Sequence, residues 1–222
     1  MDILLYLALG YLDQMAIIIL TFKMFRFPVR AYFREFSIIA VVLSLISYVD
    51  RIVFDIPQYD TGIQYIVLIL FFRYMLGFRF FEAAATTAAG CLSFIGIQFI
   101  AYYLLMQSNI ISANILGQFQ AFGTYLLQIL SDLLVFFIAW MIQVLNVGYS
   151  FIIQPPHNLA YKTKMTTLNV LIICAIILTA FVLISFSYVL IMTESKPYVI
   201  LAYVIIPVVI LLWLLRKRDY HG

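Results

Sequence analysis

Charge is scarce in this sequence: Asp, Glu, Lys and Arg make up only 10% of its 222 residues, against about 25% in an ordinary soluble domain. A chain so poor in charge cannot wrap a globular core in a polar shell. Its net charge of +3 lacks the strongly basic character of a nucleic-acid-binding protein. Cysteine is down to two, Cys91 and Cys174, which excludes a disulfide-dense secreted scaffold. Both lie inside apolar runs and are expected to be buried packing residues. The two histidines, His157 and His221, have no carboxylate cluster beside them, so neither a metal site nor a Cys/His catalytic pair is expected. There is no glycine-rich phosphate loop. The expectation is a chain with no cofactor, no metal and no catalytic activity of its own.

Apolar residues fill the space that charge leaves, at 66% hydrophobic and a mean hydropathy of +1.10. At about 20 apolar residues per membrane crossing, the length accommodates roughly seven spans. The apolar segments run over 3–22, 32–49, 61–78, 81–106, 121–146, 166–192 and 197–215. The sequence predicts an all-α integral membrane protein, a seven-transmembrane-helix bundle forming one multi-pass domain over 1–222, in the plasma membrane. The first segment is read as a retained helix rather than a signal peptide, because no basic region precedes it and no small-x-small cleavage site follows it.

Orientation follows from Lys and Arg in the short connections. Taken alternately, one set of loops and helix ends holds Lys23, Arg26, Arg30, Arg34, Arg73, Arg79, Lys162, Lys164, Arg216, Lys217 and Arg218, while the other holds Arg51 and Lys196. A missed or invented span would invert every later loop, so a bias this strong supports the span count. It predicts the N-terminus outside and the C-terminus cytoplasmic. The outer connection around 107–120 is polar yet carries Ile and Leu, and is expected to lie against the outer mouth. The inner connection around 147–165 contains Pro155-Pro156, which stiffens its turn.

An ionisable side chain at mid-span is costly and marks a candidate functional site. Asp13 on the first helix and Asp132 on the fifth share a depth of roughly 15 Å at about 1.5 Å per residue. Each has a polar stripe around it: Tyr6, Gly10, Asp13 and Gln14 on one helix, Thr124, Gln128, Ser131 and Asp132 on the other. Facing each other, the stripes would line a cavity. No Lys or Arg is expected at that depth, so the carboxylates are protonated, hydrated or paired with a cationic ligand. Neutral hydrogen bonding between helices, ligand contact, and proton or ion coupling all remain open readings. The outer helix ends carry Tyr59, Gln64, Tyr65, Gln98, Tyr102, Tyr103, Tyr125, Tyr188, Tyr198 and Tyr203, which suit either an interfacial aromatic belt or an outward-open pocket. The candidate ligand-binding set is Tyr6, Asp13, Gln14, Tyr103, Tyr125, Gln128 and Asp132.

Four further features complete the reading. Arg73 lies near the cytoplasmic end of its helix, where it can snorkel to the headgroups as an anchor or serve an interior role. The interleaved basic and aromatic run Lys23 to Arg34 reads as contact with anionic lipid headgroups at the inner face. The small-residue run Ala83 to Gly90 allows close helix approach, within the chain or across a dimer. Pro207 in the last helix is a candidate hinge. Two membrane aspartates also raise an intramembrane aspartyl protease, but Asp13 and Asp132 stand in no Gly-x-Gly-Asp motif, and that reading is set aside.

Seven spans, an outside N-terminus, short loops, Tyr-rich outer helix ends and a last helix, Ile205 to Leu215, running straight into Arg216-Lys217-Arg218 resemble the membrane sensor module of peptide-pheromone-receptor histidine kinases of Gram-positive bacteria. The resemblance is architectural and covers the full length. It implies a helix bundle that binds an extracellular peptide or small amphipathic signal, forms a homodimer or joins a membrane partner, and passes the signal through its last helix to a cytoplasmic output. This sequence ends at Gly222 without a phospho-acceptor helix or ATP-binding glycine boxes, so any kinase output lies outside it. The competing readings are a small secondary transporter or substrate-binding membrane subunit that uses Asp13 and Asp132, and a membrane scaffold.

Overall fold

The structure is a computed structural model that describes residues 3–111, 122–156, 166–192 and 197–221. Among these, every regular element is helical. Seven long α-helices follow one another: α1 (Ile3–Met24), α2 (Phe33–Tyr48), α3 (Pro57–Tyr74), α4 (Phe80–Gln107), α5 (Phe122–Val144), α6 (Thr167–Met192) and α7 (Pro197–His221). A 3-10 turn, Val29–Tyr32, leads into α2, and a π-helical turn, Val49–Val53, follows it. Among the described residues, five segments are long and apolar enough to cross a membrane: Ile3–Met24, Val29–Val53, Phe80–Gln107, Gly123–Val144 and Thr167–Ser185. The molecule has the architecture of a helical membrane protein.

The boundary of α3 differs from the expected 61–78. Pro57 occupies the first turn, where its missing N–H costs nothing and its fixed φ suits the helix, so the helix starts four residues early. It ends at Tyr74, and Gly77 (φ 76°) turns the chain toward α4. Asp60 therefore lies inside a helix rather than in a loop. That helix has a polar first half, which is why hydropathy alone places its start too late.

α4 forms the centre, packing against α1, α3, α5, α6 and α7. Its run from Ala83 to Gly90 is buried throughout, and the place of a Gly90 Cβ is taken by the Thr21 side chain of α1. The run is thus a packing face within this chain, where small residues let helix axes approach. Cys91 is buried, but Cys174 is exposed on α6, contrary to its expected burial. The residues around Cys174 in α6 are apolar on every side, so sequence alone could not tell its lipid-facing side from its packed one.

Helix direction alternates through the bundle. At one end, the end of α1 meets the ends of α5 and α7 and the start of α4: Tyr149 N–H donates to Met24 O at 2.8 Å, Arg26 Nη2 to Asn146 O at 2.9 Å, and Arg218 stacks on the Phe81 and Phe151 rings. At the other, the start of α3 abuts the end of α6, where Ile184 Cγ1 lies 2.7 Å from the place of a Gly62 Cβ. Ser185 Oγ and Tyr203 Oη, 2.6 Å apart, tie α6 to α7.

The first of these ends is held by aromatic rings. Phe22 lies at its centre, with ring centroids of Phe27, Tyr32, Phe36, Phe72 and Phe78 between 4.4 and 6.2 Å away. The aromatics of the basic-aromatic run Lys23 to Arg34 thus face inward in part, with Phe25 and Phe27 buried, while Arg26, Arg30 and Arg34 stay exposed. Alternating rings and guanidiniums here reflect a buried and an exposed side of one turn. Arg73 does not extend freely outward: its Nη1 donates to Phe78 O at 2.9 Å and closes the α3–α4 turn. Beyond the spans, Tyr149 donates to Leu212 O at 3.2 Å, and burial pushes its hydroxyl up to about 12.

Candidate functional site in the polar half of the bundle

α1 presents two consecutive polar residues to different neighbours, because successive side chains on a helix point about 100° apart. Asp13 faces α5, where Gln128 Nε2 donates to its Oδ2. Asp132, one turn further along α5 and only 3% exposed, brings its carboxyl within hydrogen-bonding reach of Asp13. Two carboxyl groups bond to each other only through a proton held by one of them. Among the described residues no nitrogen or hydroxyl donor reaches Asp13 Oδ1 or either oxygen of Asp132. Ser131 is buried beside them, but its hydroxyl donates back to Leu127 O of its own helix at 2.7 Å.

Gln14 faces the other way and starts a second chain of contacts. Its Nε2 donates to Gln64 Oε1 at 2.5 Å, and Gln64 Nε2 donates to Asp60 Oδ1 at 2.7 Å. Asp60 is fully buried and takes both Arg51 Nε at 2.7 Å and Arg51 Nη2 at 2.5 Å on its Oδ2. Ser47 Oγ donates to the same oxygen at 3.3 Å, and Tyr6 Oη lies 3.3 Å from Ser47 Oγ. Asp50 is buried one residue before Arg51, with Oδ2 lacking a donor among the described residues. The cluster draws on α1, α2 with its π turn, α3 and α5.

Arg51 brings a cationic side chain into the bundle, bound to Asp60. It belongs to the π turn, the wider winding that often marks functional segments. A pair counted as loop residues in the sequence is in fact an ion pair inside the bundle. The overlooked signal was the i, i+4 pair Asp60 and Gln64, which aligns on one helix face once Pro57 is recognised as a helix start. A buried ion pair survives only when its remaining polar valences are met, and Gln64 and Ser47 meet those of Asp60.

The structure gathers Tyr6, Asp13, Gln14, Gln128 and Asp132 of the predicted set into this region. Tyr103 is 38% exposed on the surface of α4, and Tyr125 is half-buried one turn before Gln128; neither hydrogen-bonds to the cluster among the described residues. Gly10 lets α2 approach, with Ser44 Oγ 3.1 Å from the place of its Cβ and donating to Leu7 O at 3.0 Å. Tyr65 and Tyr102 are buried in the core and Tyr59 is exposed, so the expected aromatic group divides between packing and surface. Residues 112–121, which hold most of the connection expected to lie against the outer mouth, the segment with His157, Lys162 and Lys164, and the side chains of Tyr188 and Tyr198 lie outside the described residues.

Comparison with protein-family models, with curated proteins and with solved structures yields no match to the chain.

Proposed function

We propose that the chain is a sensor module of the plasma membrane, spanning it seven times, that receives an amphipathic or peptide signal from outside and passes it through α7 to a cytoplasmic output partner. The observation that carries this reading is the junction of Asp13, Gln128 and Asp132 between α1 and α5, beside which a second chain of contacts runs from the adjacent Gln14 on α1 to the Arg51–Asp60 pair. Four helical elements thus share one polar cluster. A ligand that binds one arrangement of it more tightly than another shifts the packing of all four by that difference in affinity.

Orientation supports the same reading. The aromatic end of the bundle carries Lys23, Arg26, Arg30, Arg34, Arg73, Arg79, Arg216, Lys217 and Arg218, whereas Arg51 belongs to the polar end. By the positive-inside rule the aromatic end is cytoplasmic and its exposed arginines meet anionic headgroups. The polar cluster then opens toward the outside. α7 carries Pro207 within its length and ends in contacts with the 149–151 segment, where Asp219 Oδ1 accepts from Ser150 N at 2.6 Å and from Phe151 N at 2.9 Å. Movement of α7 about Pro207 would be felt at that clasp.

The test is a fusion of a kinase output portion behind Arg218, read as phosphorylation in cells. Asp13→Asn with Asp132→Asn should lock output in one state, while Tyr103→Phe should leave its range unchanged. Output that ignores the double substitution would refute the sensor reading. A transporter is the second reading, favoured by donor-less carboxylate oxygens in mid-bundle. It requires that the same double substitution abolish uptake of a solute into proteoliposomes. The scaffold reading loses its proposed intersubunit contact, since the alanine run of α4 is occupied within the chain.

A further inference from the structure

The carboxyl pair between α1 and α5 has more acceptors than the protein supplies donors. Gln128 spends its amide on Asp13 Oδ2, and among the described residues no nitrogen or hydroxyl donor reaches three oxygens: Asp13 Oδ1, Asp132 Oδ1 and Asp132 Oδ2. Asp132 is 3% exposed, so water is a poor substitute, and an acceptor left unmet in such surroundings is costly. A single proton between the two carboxyls engages two oxygens and leaves the third unmet. A metal ion wants more ligands than two carboxylates provide, and no group of three or more His, Cys, Asp or Glu side chains is gathered among the described residues. A primary ammonium carries three N–H donors and one positive charge. It matches the vacant oxygens in number, and by replacing the shared proton it leaves the charge of the site unchanged.

The neighbouring charges accept such a guest. Arg51 is already committed to Asp60, and Asp50 and Asp60 are buried in the same half of the bundle, so among the described residues there four carboxyl groups stand against one guanidinium. Leu12, Ile129 and Leu133 are exposed beside the pair on α1 and α5, an apolar surround that suits an apolar tail on whatever carries the ammonium.

We propose that Asp13, Asp132 and Gln128 form a binding site for the primary ammonium group of an amphipathic molecule, an alkylamine or the amino group of a peptide. The inference rests on the sensor reading for its purpose, and on the three donor-less oxygens for its chemistry. Binding releases to solvent the one proton that joined the carboxyls, and the ammonium donates its N–H groups in its place.

The probe is n-hexylammonium, added to the purified full chain in an uncharged detergent. Hexylammonium should raise Tm saturably, while n-hexanol, which has the tail without the charge, and tetramethylammonium, which has the charge without N–H donors, should not. Asp132→Asn should weaken the hexylammonium effect by about tenfold or more, the loss expected for a charge-assisted bond. If that variant does not fold, infrared difference spectra of the unmodified chain decide: the protonated-carboxyl stretch should fade as hexylammonium binds. An equal effect of hexanol, an unchanged effect in Asp132→Asn, or an unchanged carboxyl band would each overturn the site. The kinase fusion separates the two claims. Output that responds to Asp13→Asn with Asp132→Asn, without any hexylammonium binding, leaves the sensor and removes this ligand class. Hexylammonium binding without any change in output leaves the site and removes the sensor.

Discussion

The two ends of the bundle solve opposite problems. At the aromatic end, Phe22 is surrounded by five other rings. At the polar end, Gln14, Gln64, Asp60 and Arg51 depend on one another through a sequence of directional contacts, and Asp13 depends on Gln128. Ring packing holds through buried area and edge-on contact and leaves no polar group to satisfy, whereas a hydrogen-bond chain is costly when incomplete. The aromatic end is built to stay as it is. The polar end, with carboxylate oxygens still lacking donors, is built to accept one more partner.

That contrast can be broken in order of size. Phe22→Ala removes the central ring and should lower stability by about 3–5 kcal/mol, measured by thermal unfolding in detergent, without altering hexylammonium affinity. A change in affinity with intact folding would show the two ends coupled through α1. Asp60→Asn leaves the Arg51 guanidinium without its counter-charge and should cost about 3 kcal/mol, the low end for a broken buried pair because Arg51 keeps 30% side-chain exposure. Adding Arg51→Met should recover much of that loss; no recovery would mean that Asp60 stabilises by some route other than the pair.

Gly90→Ala tests what joins the two ends. A methyl group there occupies the place of the Thr21 side chain and should cost about 1–3 kcal/mol of stability by overpacking α1 against α4. Combining it with Thr21→Ala should relieve the strain in the same unfolding measurement. Asp219→Ala should have the smallest effect, roughly 1 kcal/mol. Its signature is local: faster amide hydrogen exchange at Ser150 and Phe151, with exchange around Phe22 unchanged.

The legible part of the fold was the part written in long apolar runs. Helix order and approximate boundaries followed from window hydropathy, and the polar stripes around Asp13 and Asp132 from 3.6-residue spacing, since both depend on residues close together in the chain. Asp60 and Arg51 were read as loop charges because a helix half made of Gln58, Asp60, Thr61 and Gln64 has no apolar signature. Cys174 was misplaced because an all-apolar helix does not reveal which side faces its neighbours.

Composition alone decided that this chain would be helical and lipid-compatible, because so little charge and so much apolar surface leave no other way to satisfy the backbone. Only the tertiary structure decided that Arg51 turns inward to Asp60, that the alanine run is spent against α1, and that no nitrogen or hydroxyl donor among the described residues reaches three oxygens of Asp13 and Asp132. Those outcomes depend on which helices become neighbours, and neighbour choice is set by packing between residues far apart in the chain.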